Sequence, residues 1–113
     1  MTDTTGPGYT LIAADAAELS GANPVQNGRV SPRKVFDGAG ARVRHLAFDA
    51  GAVLTEHVAP RAILVSVAAG RVRFTVRGVT HEMAAGGMIQ VEAGVPHELA
   101  AEEPSDVLLI LLG

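Results

Sequence analysis

The chain predicts an all-β domain, closed as a sandwich or barrel. Three observations carry that expectation. Strand-length segments ending in glycine recur from Arg33 to the last residue. One of them alternates apolar and polar residues with period two. After Arg33, no stretch long enough for a globular helix keeps apolar positions at helical spacing without a Gly or Pro interrupting it.

Each element follows in order. Residues 1–8, MTDTTGPG, are small and polar and read as a loose tail. Tyr9–Ala13 reads as a short strand, with one helical turn after Asp15. GANPVQNGRVSPRK is turn-rich, with Asn23-Pro24 and Asn27-Gly28 as loop signals. Residues 1–32 therefore form a tail and arm, and residues 33–113 the barrel domain. KVFDG is a short strand ending at Gly38, and ARVRHLAFDAG a strand closed by Gly51. RAILVSVAAG closes at Gly70, RVRFTVRG at Gly78, VTHEMAAGG at Gly86-Gly87 and MIQVEAG at Gly94. VPHELAAEEP and SDVLLILLG complete the series. In the RVRFTVR segment, Val72, Phe74 and Val76 alternate with Arg71, Arg73, Thr75 and Arg77, so one face packs and the other is wet. Ala62–Val67 and the C-terminal VLLILL are apolar on both faces. Such strands need an outer cover as well as an inner core, either the N-terminal arm or a second copy, and a homodimer is expected.

Composition narrows the function. At 113 residues the chain makes one domain and one core. It has no cysteine, which removes disulfides, thiolate metal sites and cysteine nucleophiles. The formal charge is −3 with acids and bases interleaved, unlike the basic stripe of a nucleic-acid binder. No apolar run approaches the length of a membrane span. The N-terminus lacks a basic region followed by an apolar one, so no signal peptide is expected, and a cytoplasmic location follows as the default. Acyl-transfer Ser motifs, phosphate-binding Gly-Lys-Ser/Thr loops and dinucleotide fingerprints are absent.

The residues that could carry chemistry are the four histidines, His45, His57, His81 and His97. His57 follows the Gly51 turn, and His97 follows the Gly94-Val-Pro turn. They lie far apart in sequence, and only a folded sheet could bring them together. His81 shares a strand face with Met83, and His45 shares one with Val43. For those two, a surface or packing role is expected. The arginine row at Arg71, Arg73 and Arg77 reads as a solvated face.

At these residues the chain resembles a family. GAVLTEHVAPRAILVSVAAG, Gly51 to Gly70, resembles the first conserved motif of cupins, and GMIQVEAGVPH, Gly87 to His97, resembles the second. The resemblance covers about residues 33–112. It implies a cupin-type double-stranded β-helix, a jelly-roll barrel of about six to eight strands, often dimeric. It also implies a divalent metal, such as Zn, Ni, Mn or Fe, held by an H-x-H pair, a glutamate and a second-motif histidine. Position by position, His57 and His97 match two of those ligands. Ala59 replaces the other first-motif histidine, and Ile63 or Leu64 stands near the glutamate position. The candidates for a third ligand are Glu56, if a bulge turns it inward, and His45. The remaining expected pocket residues are Ile63, Val65, Phe74, Met83 and Ile89.

Three functions stay open on this reading. One is a metal-dependent cupin with His57 and His97 as ligands. Another is a metal-free module binding a small hydrophobic or carboxylated molecule. The third is a metal-free acid–base isomerase or cyclase. Cupin-like epimerases pair a histidine base with a tyrosine acid, and the only tyrosine, Tyr9, lies outside both motifs.

Overall fold

The computed structural model describes residues 8–113. Apart from Gly8, the tail read at residues 1–8 lies outside them. One helix, α1 (Ala16–Ala22), precedes nine strands: β1 (Val30–Gly38), β2 (Ala41–Phe48), β3 (Val53–His57), β4 (Ile63–Ala69), β5 (Arg71–Val76), β6 (Val79–Ala84), β7 (Met88–Val91), β8 (His97–Ala101) and β9 (Ser105–Leu112). They form two antiparallel sheets, β1-β2-β9-β4-β7 and β3-β8-β5-β6, packed as a jelly roll.

Period-two patterning explains which side chains fill the core. Val72 and Phe74 of β5 are fully buried, while Arg71 and Arg73, which alternate with them, are exposed. On the facing sheet Ile63, Val65 and Val67 point inward from β4, and Phe48 from β2 is fully buried. Truncating Phe48 or Phe74 to Ala costs about 3–5 kcal/mol by lost transfer and cavity formation. The turn between β4 and β5 demands glycine. Gly70 has φ +88°, and a Cβ there would lie 2.2 Å from Ser105 Oγ and 2.6 Å from the Pro104 carbonyl.

Three boundaries differ from the sequence reading. Tyr9–Ala13 forms no strand, because it finds no ladder partner. The helical turn extends into α1, capped by Asp15, whose carboxylate accepts from Glu18 N at 2.9 Å, while Glu18 Oε1 accepts from Ala14 N at 2.7 Å. β1 begins at Val30, ahead of Arg33 and inside the segment read as arm. Pairing with β2 from Val30↔Phe48 onward recruits it, and a register shift between Lys34 and Phe36 absorbs the irregularity.

Helix α1 covers part of the outer face of the five-stranded sheet. Leu19 is its only buried apolar side chain. The rest of its anchorage is polar. Ser20 Oγ donates to Asp106 Oδ2 at 2.5 Å, and Asn23 Nδ2 donates to the Ser31 carbonyl at 2.7 Å. The face it leaves open carries half-buried Leu64, Ile110 and Leu112. No helix among the described residues is long and apolar enough to cross a membrane.

Candidate functional site

Both motif histidines stand at one end of the barrel, where β3 ends and β8 begins. They are direct register partners, with ring centroids 4.3 Å apart and ring planes at 62°. A β-bulge produces this meeting. Leu54 pairs with Leu99, and the next pair is His57 with His97, so β3 carries one more residue than β8 between them. Leu54 points inward. Strict alternation from it would have sent Glu56 inward and His57 outward. The bulge reverses that order: His57 lines the interior and Glu56 is exposed. The expectation that a bulge could bring Glu56 in as a third ligand is thus corrected, since the same bulge turns it out.

His97 opens β8 on the face shared with Leu99 and Ala101 and is only 3% exposed. Its ring stacks on Phe74, with centroids 5.6 Å apart and planes within 10°. Its Nδ1 lies 2.9 Å from the Val95 carbonyl, and His57 Nδ1 lies 3.0 Å from the Thr55 carbonyl. A carbonyl can only accept, so each Nδ1 carries the proton and each Nε2 keeps a lone pair. No buried polar side-chain atom among the described residues lacks a partner. The two Nε2 atoms have no protein partner there and must therefore be reachable from outside. Burial lowers the His97 pKa from its ordinary value, opposed by the Val95 carbonyl and reinforced by the nearby His57 ring. His97 is accordingly held as a neutral base.

The space that the two rings line is small, about 10 Å³, room for roughly one water. Its walls are His57, His97, Val65 and Phe74 together with Leu46, Leu54, Leu99 and Leu109. Of the pocket residues read from the sequence, Ile63 and Met83 lie in the core without touching this space, and Ile89 packs half-buried against that core. The four leucines were not anticipated. Leu99 could have been found by counting inward from His97 in twos, whereas Leu54 could not, because the bulge sets it three positions from His57. Leu46 and Leu109 could not, because VLLILL is apolar at every position and the parity of β2 was ambiguous.

His45 is elsewhere, which corrects its candidacy as a third ligand. It faces the opposite side of the five-stranded sheet, under α1, with no exposed surface. Its Nδ1 accepts from Asn23 Nδ2 at 3.1 Å, and its Nε2 donates to Asp106 Oδ1 at 2.8 Å. His81 is exposed on the edge strand β6.

These donors do not make a resident metal centre. Ala59 is half-buried against the core without a donor side chain, Ile63 is in the core, and Leu64 faces outward. Among the described residues no group of three or more His, Cys, Asp or Glu could hold a metal ion, whereas a catalytic site uses about three protein ligands. The protein offers two imidazoles.

Comparison with known proteins agrees with the architecture. A conserved protein of unknown function from Streptococcus pyogenes is 22% identical, with 92% of this chain and 91% of that one covered at a TM-score of 0.76. An RmlC-like cupin protein from Desulfovibrio desulfuricans is 15% identical over 99% of this chain and 96% of its own, at a TM-score of 0.71. A cupin 2 conserved barrel domain protein from Leptotrichia buccalis is 28% identical over 78% of this chain and 43% of its own, at a TM-score of 0.72. No curated protein sequence matches. Residues 44–113 match the cupin domain family model, and with the jelly roll and both motif histidines in place, the chain belongs to the cupin family.

Proposed function

We propose that the protein binds a small molecule at the histidine end of the barrel, through the two imidazoles and without a resident metal. One observation carries the reading. Both Nδ1 atoms are committed to main-chain carbonyls, which leaves two Nε2 lone pairs unspent on rings that line one small space with otherwise apolar walls. Two acceptors with no donor beside them call for a partner that brings protons. A water satisfies both at once, and a hydroxyl, enol or amine on an apolar neck would displace it. The narrowness of the space admits only the tip of such a ligand.

The test is a titration of the histidine-labelled protein with phenol, followed by ¹⁵N NMR. The Nε2 resonances of His57 and His97 should move together, while those of His45 and His81 stay fixed. Phenol that leaves the first pair unmoved overturns the reading. A stoichiometric metal that resists chelator and is lost in His57→Ala would overturn its metal-free part.

The neutral state of buried His97 favours a second reading, acid–base catalysis of an isomerase or cyclase type, with His97 Nε2 taking the proton. Turnover of a bound ligand, abolished by His97→Gln with binding retained, separates the two. A homodimer is also proposed, formed over the open outer face at Leu64, Ile110 and Leu112. Sedimentation of the full chain tests it.

A further inference from the structure

A second, wider recess opens at the same end of the barrel. It holds about 200 Å³ and is walled by Asp37, Arg42, Arg61 and Leu111, with Gly40 and Gly113. Strand register fixes its relation to the histidines. Leu109 walls the histidine space and Leu111 walls the recess. The two are neighbours on the inward face of β9, so the recess lies one inward step, about 7 Å, along the same strand. Their partners on β2 are Arg44, opposite Leu109, and Arg42, opposite Leu111.

Among the side chains that wall the recess, basic groups outnumber acidic ones, in a chain whose formal charge is −3. Asp37 is the one acid in its walls. Arg44 Nη1 donates to Asp37 Oδ1 at 2.7 Å, and Lys34 Nζ lies 3.8 Å from Oδ2. The hydrogen bond from Arg44, with the charges of Arg44, Lys34 and Arg42, holds the Asp37 carboxyl below its usual range despite partial desolvation. Arg61 Nη1 donates to the main-chain oxygen of Gly113. Arg42 has no ion-pair partner among the described residues and is exposed. Its guanidinium is the open donor of the recess.

We infer that the ligand is a small carboxylate bearing a hydroxyl or enol at its far end, with the carboxylate on Arg42 and the hydroxyl between His57 and His97. This rests on the pocket reading above and adds the substrate class. The size argument supports it. The histidine space admits only a tip, so the body of a ligand lies outside it, and the recess one strand step away offers a guanidinium suited to a planar anion.

The experiment is calorimetric titration of the full chain with three isosteric probes: 4-hydroxybenzoate, 4-hydroxybenzamide and benzoate. 4-Hydroxybenzoate should bind best. The neutral amide should lose about tenfold through the missing charge-assisted bond, and benzoate a similar factor through the missing hydroxyl. Arg42→Gln should weaken both carboxylates about tenfold and leave 4-hydroxybenzamide unchanged; because Arg42 is exposed, an unchanged melting temperature will confirm folding. Equal affinity for acid and amide, or an Arg42→Gln variant indifferent to both, overturns the carboxylate inference and leaves the histidine pocket standing. Benzoate binding as tightly as 4-hydroxybenzoate, unaffected by His57→Gln, overturns the histidine pocket instead. Absence of binding by all three probes overturns the inference.

Discussion

The two faces of the five-stranded sheet each meet histidine chemistry, and they treat it in opposite ways. Under α1 on the outer face, His45 has no exposed surface and both ring nitrogens are paired, Nδ1 accepting from Asn23 and Nε2 donating to Asp106. On the inner side, His57 and His97 each pair only Nδ1 and leave Nε2 open. Burial alone would have ranked His45 first. What separates a structural histidine from a ligand-binding one here is an unspent lone pair. The outer cluster joins helix to sheet through Ser20, Asn23, His45 and Asp106 and has nothing left to offer a ligand. The inner pair adds less to the fold and keeps a vacancy for chemistry.

That contrast can be broken by mutation. The largest effect is expected at His45→Ala, which strands the Asp106 carboxylate beneath α1. A cost of about 3 kcal/mol or more follows from leaving a buried partner uncompensated, read as a lower urea midpoint with an unchanged slope. His57→Gln should cost under about 1 kcal/mol, because its ring loses one main-chain bond at the barrel mouth. If the two variants were equally unstable, the division of roles would be wrong.

Deleting Thr55 tests the bulge beneath the inner pair. Without the extra residue, β3 alternates strictly from inward Leu54, which leaves Glu56 outward opposite Glu98 and His57 inward opposite His97. The variant should lose about 1 kcal/mol with the bond from His57 Nδ1 to the Thr55 carbonyl and keep the joint phenol shift of His57 and His97. A deletion variant that loses that shift would show that His57 does not face inward by the parity counted from Leu54.

A smaller effect concerns pH. His97 is held below its ordinary pKa of 6.5 by burial, so below that pH the unfolded chain binds more protons than the folded one. Stability contributed by neutral His97 is full above 6.5 and declines as pH falls from there to the folded-state pKa. His97→Gln should flatten that part of the melting-temperature profile. A profile identical to that of the parent chain would assign the slope to other groups. The smallest effect is expected at exposed His81 on β6: His81→Ala should stay within about 0.5 kcal/mol and leave probe binding untouched.

The fold was legible because its signals are local. The alternation in RVRFTVR gives Val72 and Phe74 to the core in any register, and glycine at the Gly70 turn is required by the close approach of Pro104 and Ser105. Strand limits near the arm were less legible. Val30–Pro32 becomes strand only because β2 offers it a ladder. Of the site, His57 and His97 could be singled out from their turns. Leu46 and Leu109 could not, since an unbroken apolar run has no period to count.

The sequence by itself determined an all-β chain with two turn-flanked histidines and without a complete set of metal donors, because glycine spacing, period-two patterning and residue identity need no partner to be read. Only the tertiary structure decided which way His57 and Glu56 face, that His45 belongs to the helix anchor, and that Arg42 pairs with Leu111, one inward step along β9 from a wall of the histidine space. Those are consequences of a single extra residue in β3 and of cross-strand register, which exist only when two strands lie side by side.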